Sequence, residues 1–322
     1  MPFDSLRARI ERLPSPSRKL QLGVAIAVVA SQALIAMTGA IVRVTGSGLG
    51  CPTWPECFPG SMVPVEHPEY ATLNQWIEYG NRLFTGVVGL VAGAALVLAL
   101  LHRPRDRRYL RLAVAMPVGV AVQAVLGGIT VRMDLLWWTV AVHLLASTIM
   151  VWLATLLVHA VPREDTNENP ATNRTVATWL YVQTGLLAAL LVTGTMVTGA
   201  GPHGGDAATP RFDVPVETLA HVHAAVLYTF LGALVLLGFL LRGTPRPPWR
   251  RYQVLLAVVL VQGTIGLVQF WTGVPELLVS LHVLGAMTVI IATASLWCGV
   301  RGAGAPKAQV SDRLVANRAK TT

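Results

Sequence analysis

Three stretches of this sequence set an imidazole inside an apolar run: VAVHLLAS with His143, VSLHVLGA with His282, and LAHVHAAVLY with His221 and His223. An ionisable residue within such a run is a functional candidate by default, because hydrocarbon makes it costly to keep. Neutral imidazole is an iron ligand, and histidines at one depth on facing helices are what axial haem ligation requires. The competing use is structural, since histidines also hydrogen-bond across membrane helices, and spacing alone leaves both readings open. His221 and His223 are two apart, which turns them roughly 200° from one another on a helix, so only one of them can face a site. A further cluster, WIEYGNRLF, puts Glu78, Asn81 and Arg82 just ahead of or at the start of an apolar run. A carboxylate there is either solvated and inert or placed to stabilise positive charge developing in a buried substrate. The other histidines, His67 and His203 in connections and His102 and His159 at the ends of runs, read as solvated or interfacial.

Helices that cross a membrane must position these side chains. Of 322 residues, 53% are hydrophobic and only 13% charged, against roughly 25% charged in a soluble domain. Eight runs are free of Asp, Glu, Lys and Arg: 22–42, 83–101, 112–131, 135–161, 176–201, 218–241, 252–275 and 277–300. Each is long enough to span, a crossing needing about 20 residues. They lack the polar alternation of a membrane barrel, so the expected fold class is an all-α integral membrane protein with eight transmembrane helices. The first run follows a basic tail and exceeds the core of a signal peptide, about 7 to 15 residues, so an uncleaved first helix is expected, with a cleaved signal as the alternative. Of the 25 Lys and Arg residues, 21 fall in the two tails and the second, fourth and sixth connections, and Arg43, Arg82, Arg132 and Arg211 fall on the other side. The positive-inside rule then puts both termini in the cytoplasm. The net charge of +9 is on this reading a topology signal and not a nucleic-acid footprint.

The chain also repeats itself. VQAVLGG from Val122 and VQGTIGL from Val261 share V-Q-x-x-x-G, and twenty residues after each glutamine, Gln123 and Gln262, come His143 and His282. TGAIVRVTGSG from Thr38 matches TGTMVTGAG from Thr193 more loosely. Four helices separate the copies, so the halves share orientation and are expected to be related by an axis along the membrane normal. The expected organisation is a tail at 1–21, a four-helix half at 22–161, a linker at 162–175, a second four-helix half at 176–300 and a tail at 301–322. These are two pseudo-symmetric bundles, each able to house a cofactor between facing helices. The first non-cytoplasmic connection, TGSGLGCPTWPECFPG, carries Cys51 and Cys57 with Pro52 and Pro55 between them. A disulfide can persist outside the cytoplasm, and the prolines favour a turn that brings the thiols together. A metal pair is the alternative, although no other cysteine lies on that side to complete a thiolate site. Cys298, in the last run, reads as a packing residue.

Taken together, TGAIVRVTGSGLGCPTWPECFPG, IEYGNRLFTG, VHLLAS and LHVLGA resemble the haem A synthase family of bacterial type over nearly the whole chain. The first motif is rather specific, and the short histidine motifs gain weight from their order and repetition. The resemblance implies an oxidoreductase, of the plasma membrane in a bacterium, that oxidises a ring methyl of haem O to the formyl group of haem A for terminal oxidase biogenesis. It implies haem O as substrate in the N-terminal half and haem B as cofactor in the C-terminal half. His223 and His282 would be ligands of the haem B iron, and His143 would face the substrate iron. Glu78 would be the acidic residue beside the reacting methyl, with Asn81 and Arg82 on the substrate side, and a Cys51–Cys57 disulfide would brace the loop over the substrate half. Implied partners are a haem O synthase, terminal oxidase assembly factors, a redox partner and further copies of this chain. Two departures stand out. The family pattern E-x-x-H-R reads Glu78, Tyr79, Gly80, Asn81, Arg82 here, and Asn81 is no ordinary haem ligand. The connection GPHGGDAATPRFDVP lacks the second cysteine pair of some relatives. The competing functions are a non-catalytic di-haem b-type cytochrome for electron transfer and a repeat-built transporter. A transporter predicts spans interrupted at the midplane, whereas these runs carry no internal charge.

Overall fold

The computed structural model describes residues 14–162, 174–244 and 248–301. Within them the chain forms eight α-helices: α1 Arg18–Val44, α2 Thr72–Leu101, α3 Arg107–Arg132, α4 Trp137–Ala160, α5 Arg174–Ala200, α6 Val216–Leu241, α7 Trp249–Trp271 and α8 Glu276–Arg301. All eight are long and apolar enough to cross a membrane. No strand occurs among the described residues beyond an isolated bridge between Phe58 and Ser61. This is what a hydrocarbon solvent selects, since a helix satisfies its own backbone. Exposed apolar side chains such as Leu90, Leu73, Trp271 and Leu277 cover the outside. Two starts carry side-chain caps: Ser17 Oγ accepts from the Leu20 amide at 3.3 Å, and Asp106 Oδ1 from the Tyr109 amide at 2.7 Å.

Several helices extend beyond the charge-free runs. The largest difference is in α2, which begins at Thr72. Glu78, Asn81 and Arg82 therefore lie within the helix and not ahead of it, and Glu78 is only 4% exposed. Charges that read as a boundary in sequence are here paired inside the fold. At the other extreme, α7 ends at Trp271, which leaves Pro275 in a connection.

In the first half α1 packs on α2, α2 on α3, α3 on α4, and α4 back on α1; in the second half α5, α6, α7 and α8 follow the same order. The seam is formed by α8 against α1 and α4, and by α4 against α5. Antiparallel succession places the 51–57 loop at one end of the helices. The tightly packed apolar cores lie toward the opposite end. One is rich in alanine (Ala25, Ala92, Ala95, Ala99, Ala113, Ala154), which lets helix backbones approach closely. The other is built on larger residues, among them Leu180, Phe230, Leu234, Leu255, Ile290 and Leu296.

Toward the loop end the interior is different. Between Glu78 and Val88 α2 buries no residue, and the same holds for α4 between Thr139 and Ser147. It holds again for α6 between Leu219 and Phe230, and for α8 between Ser280 and Met287. At about 1.5 Å per residue these are stretches of roughly 10 to 16 Å whose side chains are at most partly buried. Asn81, His143, His223 and His282 fall one in each.

Candidate functional site

The two halves build the same arrangement from different residues. In the second half α5 brings Thr193 and Gly194 against His223 of α6. Thr193 Oγ1 lies 3.0 Å from His223 Nδ1, and a Cβ on Gly194 would stand 3.2 Å from His223 Cε1. In the same way α7 brings Gln262 and Gly266 against His282 of α8. Gln262 Nε2 donates to the His282 carbonyl at 2.8 Å, and a Cβ on Gly266 would come to 2.9 Å from His282 Cε1. The centroids of the His223 and His282 rings are 6.5 Å apart. Two imidazoles bonded to one metal at about 2 Å each have ring centres roughly 6 Å apart, so the separation suits a shared metal atom. His221 is turned away: it is exposed, with Nδ1 2.7 Å from the Glu217 carbonyl and its ring edge-on to Phe270.

In the first half Thr38 Oγ1 of α1 lies 2.7 Å from Asn81 Oδ1 of α2. Gln123 of α3 bonds Ser147 and approaches the His143 carbonyl of α4 at 3.5 Å. A Cβ on Gly127 would stand 3.5 Å from His143 Cε1. Thr38 with Asn81 therefore repeats Thr193 with His223, and Gln123, Gly127 and His143 repeat Gln262, Gly266 and His282. Asn81 occupies the place that a histidine takes in the second half. Four buried polar atoms at these positions, His143 Nδ1, His282 Nδ1, Gln123 Oε1 and Gln262 Oε1, have no hydrogen-bond partner among the described residues. Such unpartnered buried polar atoms are uncommon in folded proteins.

No group of three or more His, Cys, Asp or Glu able to hold a bare metal ion occurs among the described residues. A pair of imidazoles is too few ligands for a closed zinc site, which takes four. It is the right number for an iron whose other ligands come from a macrocycle. The residues present thus fit haem: two imidazoles face each other 6.5 Å apart between helices, and glycines let the rings lie close to the neighbouring backbone.

One feature belongs to the first half alone. Glu78 and Arg82 form an ion pair at 2.6 Å, whereas the equivalent positions around His223 are Ala220 and Ala224. Arg82 also donates to the carbonyls of Cys51 at 2.8 Å, Thr53 at 2.9 Å and Glu56 at 3.1 Å. Glu78 Oε2 accepts from the Cys51 amide at 2.8 Å. The pair thereby fastens α2 to the loop closed by the Cys51–Cys57 disulfide. The metal alternative for these two cysteines is set aside by that bond. From the same loop Trp54 lies over α3, where a Cβ on Gly128 would be 2.5 Å from its ring, and Arg132 donates to the Trp54 carbonyl at 3.0 Å. The loop thus packs against α2 and α3 at the loop end of the first half. His203 serves the connections, its Nε2 lying 2.8 Å from the Val274 carbonyl. Cys298 is free and buried.

Thr38, Thr193, Gly127, Gly194 and Gly266 were not singled out from sequence. Their signal was the repeat itself, in the matched T-G and V-Q-x-x-x-G segments, which marks symmetric positions without saying what they touch.

The chain matches the COX15-CtaA family, cytochrome oxidase assembly protein, over residues 23–295. It is similar to the heme A synthase of Geobacillus kaustophilus (strain HTA426), at 33% identity over 73 residues, 23% of this chain and 21% of the relative. It is similar to that of Geobacillus thermodenitrificans, at 30% over 141 residues, 43% of this chain and 41% of the relative. A third, the heme A synthase of Bartonella bacilliformis (strain ATCC 35685 / KC583 / Herrer 020/F12,63), is 22% identical over 335 aligned positions, covering 84% of this chain and 89% of the relative. The matches to the two Geobacillus proteins thus span about a fifth and two fifths of those relatives, and the third runs nearly end to end. Because the family match extends from α1 into α8, this multi-pass membrane protein belongs to the COX15-CtaA family of cytochrome oxidase assembly proteins.

Proposed function

We propose that this protein is a haem A synthase, oxidising a ring methyl of haem O to the formyl group of haem A. The observation that carries the reading is the inequality of the two repeated sites. One has two imidazoles, and the other has one imidazole, an asparagine and the Glu78–Arg82 pair fastened to the 51–57 loop. In this reading His223 and His282 hold haem B, which when bound supplies one-electron redox chemistry across the seam. His143 faces the iron of the substrate haem O. Asn81 offers no imidazole to the opposite face, which favours exchange of substrate for product. Glu78, held by Arg82 and the Cys51 amide, keeps its carboxyl oxygens fixed beside the substrate half, where they can accept from or polarise toward the methyl carbon as positive charge develops there. The loop bearing Trp54 excludes water from that side.

The same proposal takes residues 22–161 and 176–300 as pseudo-symmetric bundles with both termini cytoplasmic, supported by the matching packing order and the distribution of arginines. Haem O is too apolar to diffuse through water, so a haem O synthase is the natural donor, with terminal oxidase assembly factors as recipients and a separate redox partner. A pure di-haem cytochrome is less well supported, because an electron carrier gains nothing from replacing an axial imidazole by Asn81 or from a buried ion pair.

The test is to express the chain with a haem O synthase, extract the haems and identify them by mass. Haem A is expected with the native chain and not with Glu78→Ala or His143→Ala. Haem B and unchanged haem O from folded native protein would overturn the proposal.

A further inference from the structure

Two arginines meet at the loop end of the seam without an acid between them. Arg43, in the last turn of α1, is partly buried and donates through Nη2 to the Thr198 carbonyl of α5. Its Nε is sealed from solvent and has no hydrogen-bond partner among the described residues. Arg211, from the connection between α5 and α6, lays its guanidinium on Gly204 and donates to the Pro202 carbonyl at 2.9 Å. The adjacent Gly205 lies against Arg43, a Cβ there standing 3.8 Å from Arg43 Cγ. The two guanidinium-bearing side chains thus flank the neighbouring glycines Gly204 and Gly205. Asp206, the nearest acid in sequence, turns Oδ1 to the Ala208 amide at 2.8 Å, and neither arginine is in an ion pair among the described residues. Holding two like charges together, one of them partly desolvated, is unfavourable unless an anion joins them.

Their level says which anion. Arg43 comes five residues after Thr38 in α1, and its acceptor Thr198 five residues after Thr193 in α5. At about 1.5 Å per residue the guanidinium contact is roughly 7 to 8 Å nearer the loop end than the Asn81 and His223 positions. A haem held at His223 and His282 with its propionates toward the loop end would bring a carboxylate to that level. Thr198 and Arg211 both belong to α5 and its connection to α6, the helices that carry Thr193 and His223.

We propose that Arg43 and Arg211 form a carboxylate-binding subsite that receives a propionate of the haem held at His223 and His282. The inference rests on the haem reading above and adds to it. Because Arg43 comes from the first half and the haem from the second, this contact also fixes the second-half haem against the seam.

The test is to compare, on full-length protein, retention of haem B with that of its dimethyl ester, which lacks the carboxylates, and to measure the haem midpoint potential. The native chain is expected to prefer the free acid by about ten- to a hundredfold, the worth of a hydrogen bond to a charged group. Arg43→Gln and Arg211→Gln are expected to lose most of that preference and to lower the potential, since a cation that favours the ferrous state is gone. Arg43→Lys is expected to restore part of both. Should the Arg43 variants fail to fold, Arg211→Gln carries the comparison alone, because that side chain lies on a connection. Equal retention of acid and ester by the native chain, or unchanged preference and potential in folded Arg211→Gln and Arg43→Gln, would overturn the subsite while leaving the haem reading intact. The same holds if those variants lose only bound anionic lipid. A native chain that takes up neither haem sinks both.

Discussion

Replacing Arg82 by leucine removes five donor contacts at once: two to Glu78 Oε1, at 2.6 and 3.2 Å, and three to the carbonyls of Cys51, Thr53 and Glu56. Glu78, 4% exposed, loses its cationic partner and keeps only backbone amides of the loop, among them that of Cys51. Removing one member of a buried pair costs about 3–5 kcal/mol, because the other charge stays desolvated. Arg82 retains 19% exposure, so water reaches one edge of the site and the lower end, about 3 kcal/mol, applies. That corresponds to roughly a hundredfold shift in the equilibrium between seated and released loop. Amide exchange read by mass spectrometry on protein in nanodiscs reports it directly. Peptides covering 48–61 are expected to exchange roughly a hundredfold faster, with α7 and α8 unchanged. The double variant Glu78→Gln with Arg82→Leu should exchange more slowly than Arg82→Leu alone, since the stranded charge is the larger part of the cost. Exchange within about threefold of the native rate, or a double variant worse than the single one, would refute the reasoning.

Asn81→His supplies the imidazole that the second half has at His223, and is expected to add a low-spin haem signal while cutting haem A yield by about tenfold or more, ~1.4 kcal/mol of barrier; a faster enzyme would show that the asparagine is not there to keep that face open. Gly266→Ala pushes a methyl to 2.9 Å from His282, whereas Gly127→Ala reaches only 3.5 Å from His143. Over-packing costs about 1–3 kcal/mol, so haem content is expected to fall in the first variant and hold in the second, and equal behaviour would contradict the geometry. Cys51→Ser opens a loop with a sequence separation of 6, worth about 2 kcal/mol in the chain-entropy estimate; the melting temperature in detergent should drop by several degrees while haem content is unchanged.

Eight helices were legible because hydrocarbon imposes a length and a composition on every crossing, and both are written residue by residue. The twenty-residue spacing from Gln123 to His143 and from Gln262 to His282 was legible for a related reason. It spans one short connection of equal length in both halves, and in space it becomes a glutamine amide directed at the carbonyl of the histidine. The start of α2 was not legible, since Glu78 and Arg82 look like solvated residues until each is seen to neutralise the other.

The other half of the repeat shows why spacing runs out. Thr38 and Asn81 are 43 residues apart, but Thr193 and His223 only 30. The disulfide loop takes up the difference, so no constant offset reveals that the asparagine stands where the histidine does. Likewise, sequence required His221 and His223 to point apart, a local property of any helix. Which of them meets His282 depends on how α6 is rotated against its neighbours. The sequence by itself determined the spans, the repeat and the set of side chains able to bind iron, all consequences of local periodicity and solvent. Only the tertiary structure decided which of these lie together, that Asn81 meets Thr38 as His223 meets Thr193, and that Glu78 and Arg82 fasten α2 to the 51–57 loop, because those facts follow from helix rotation and packing across the bundle.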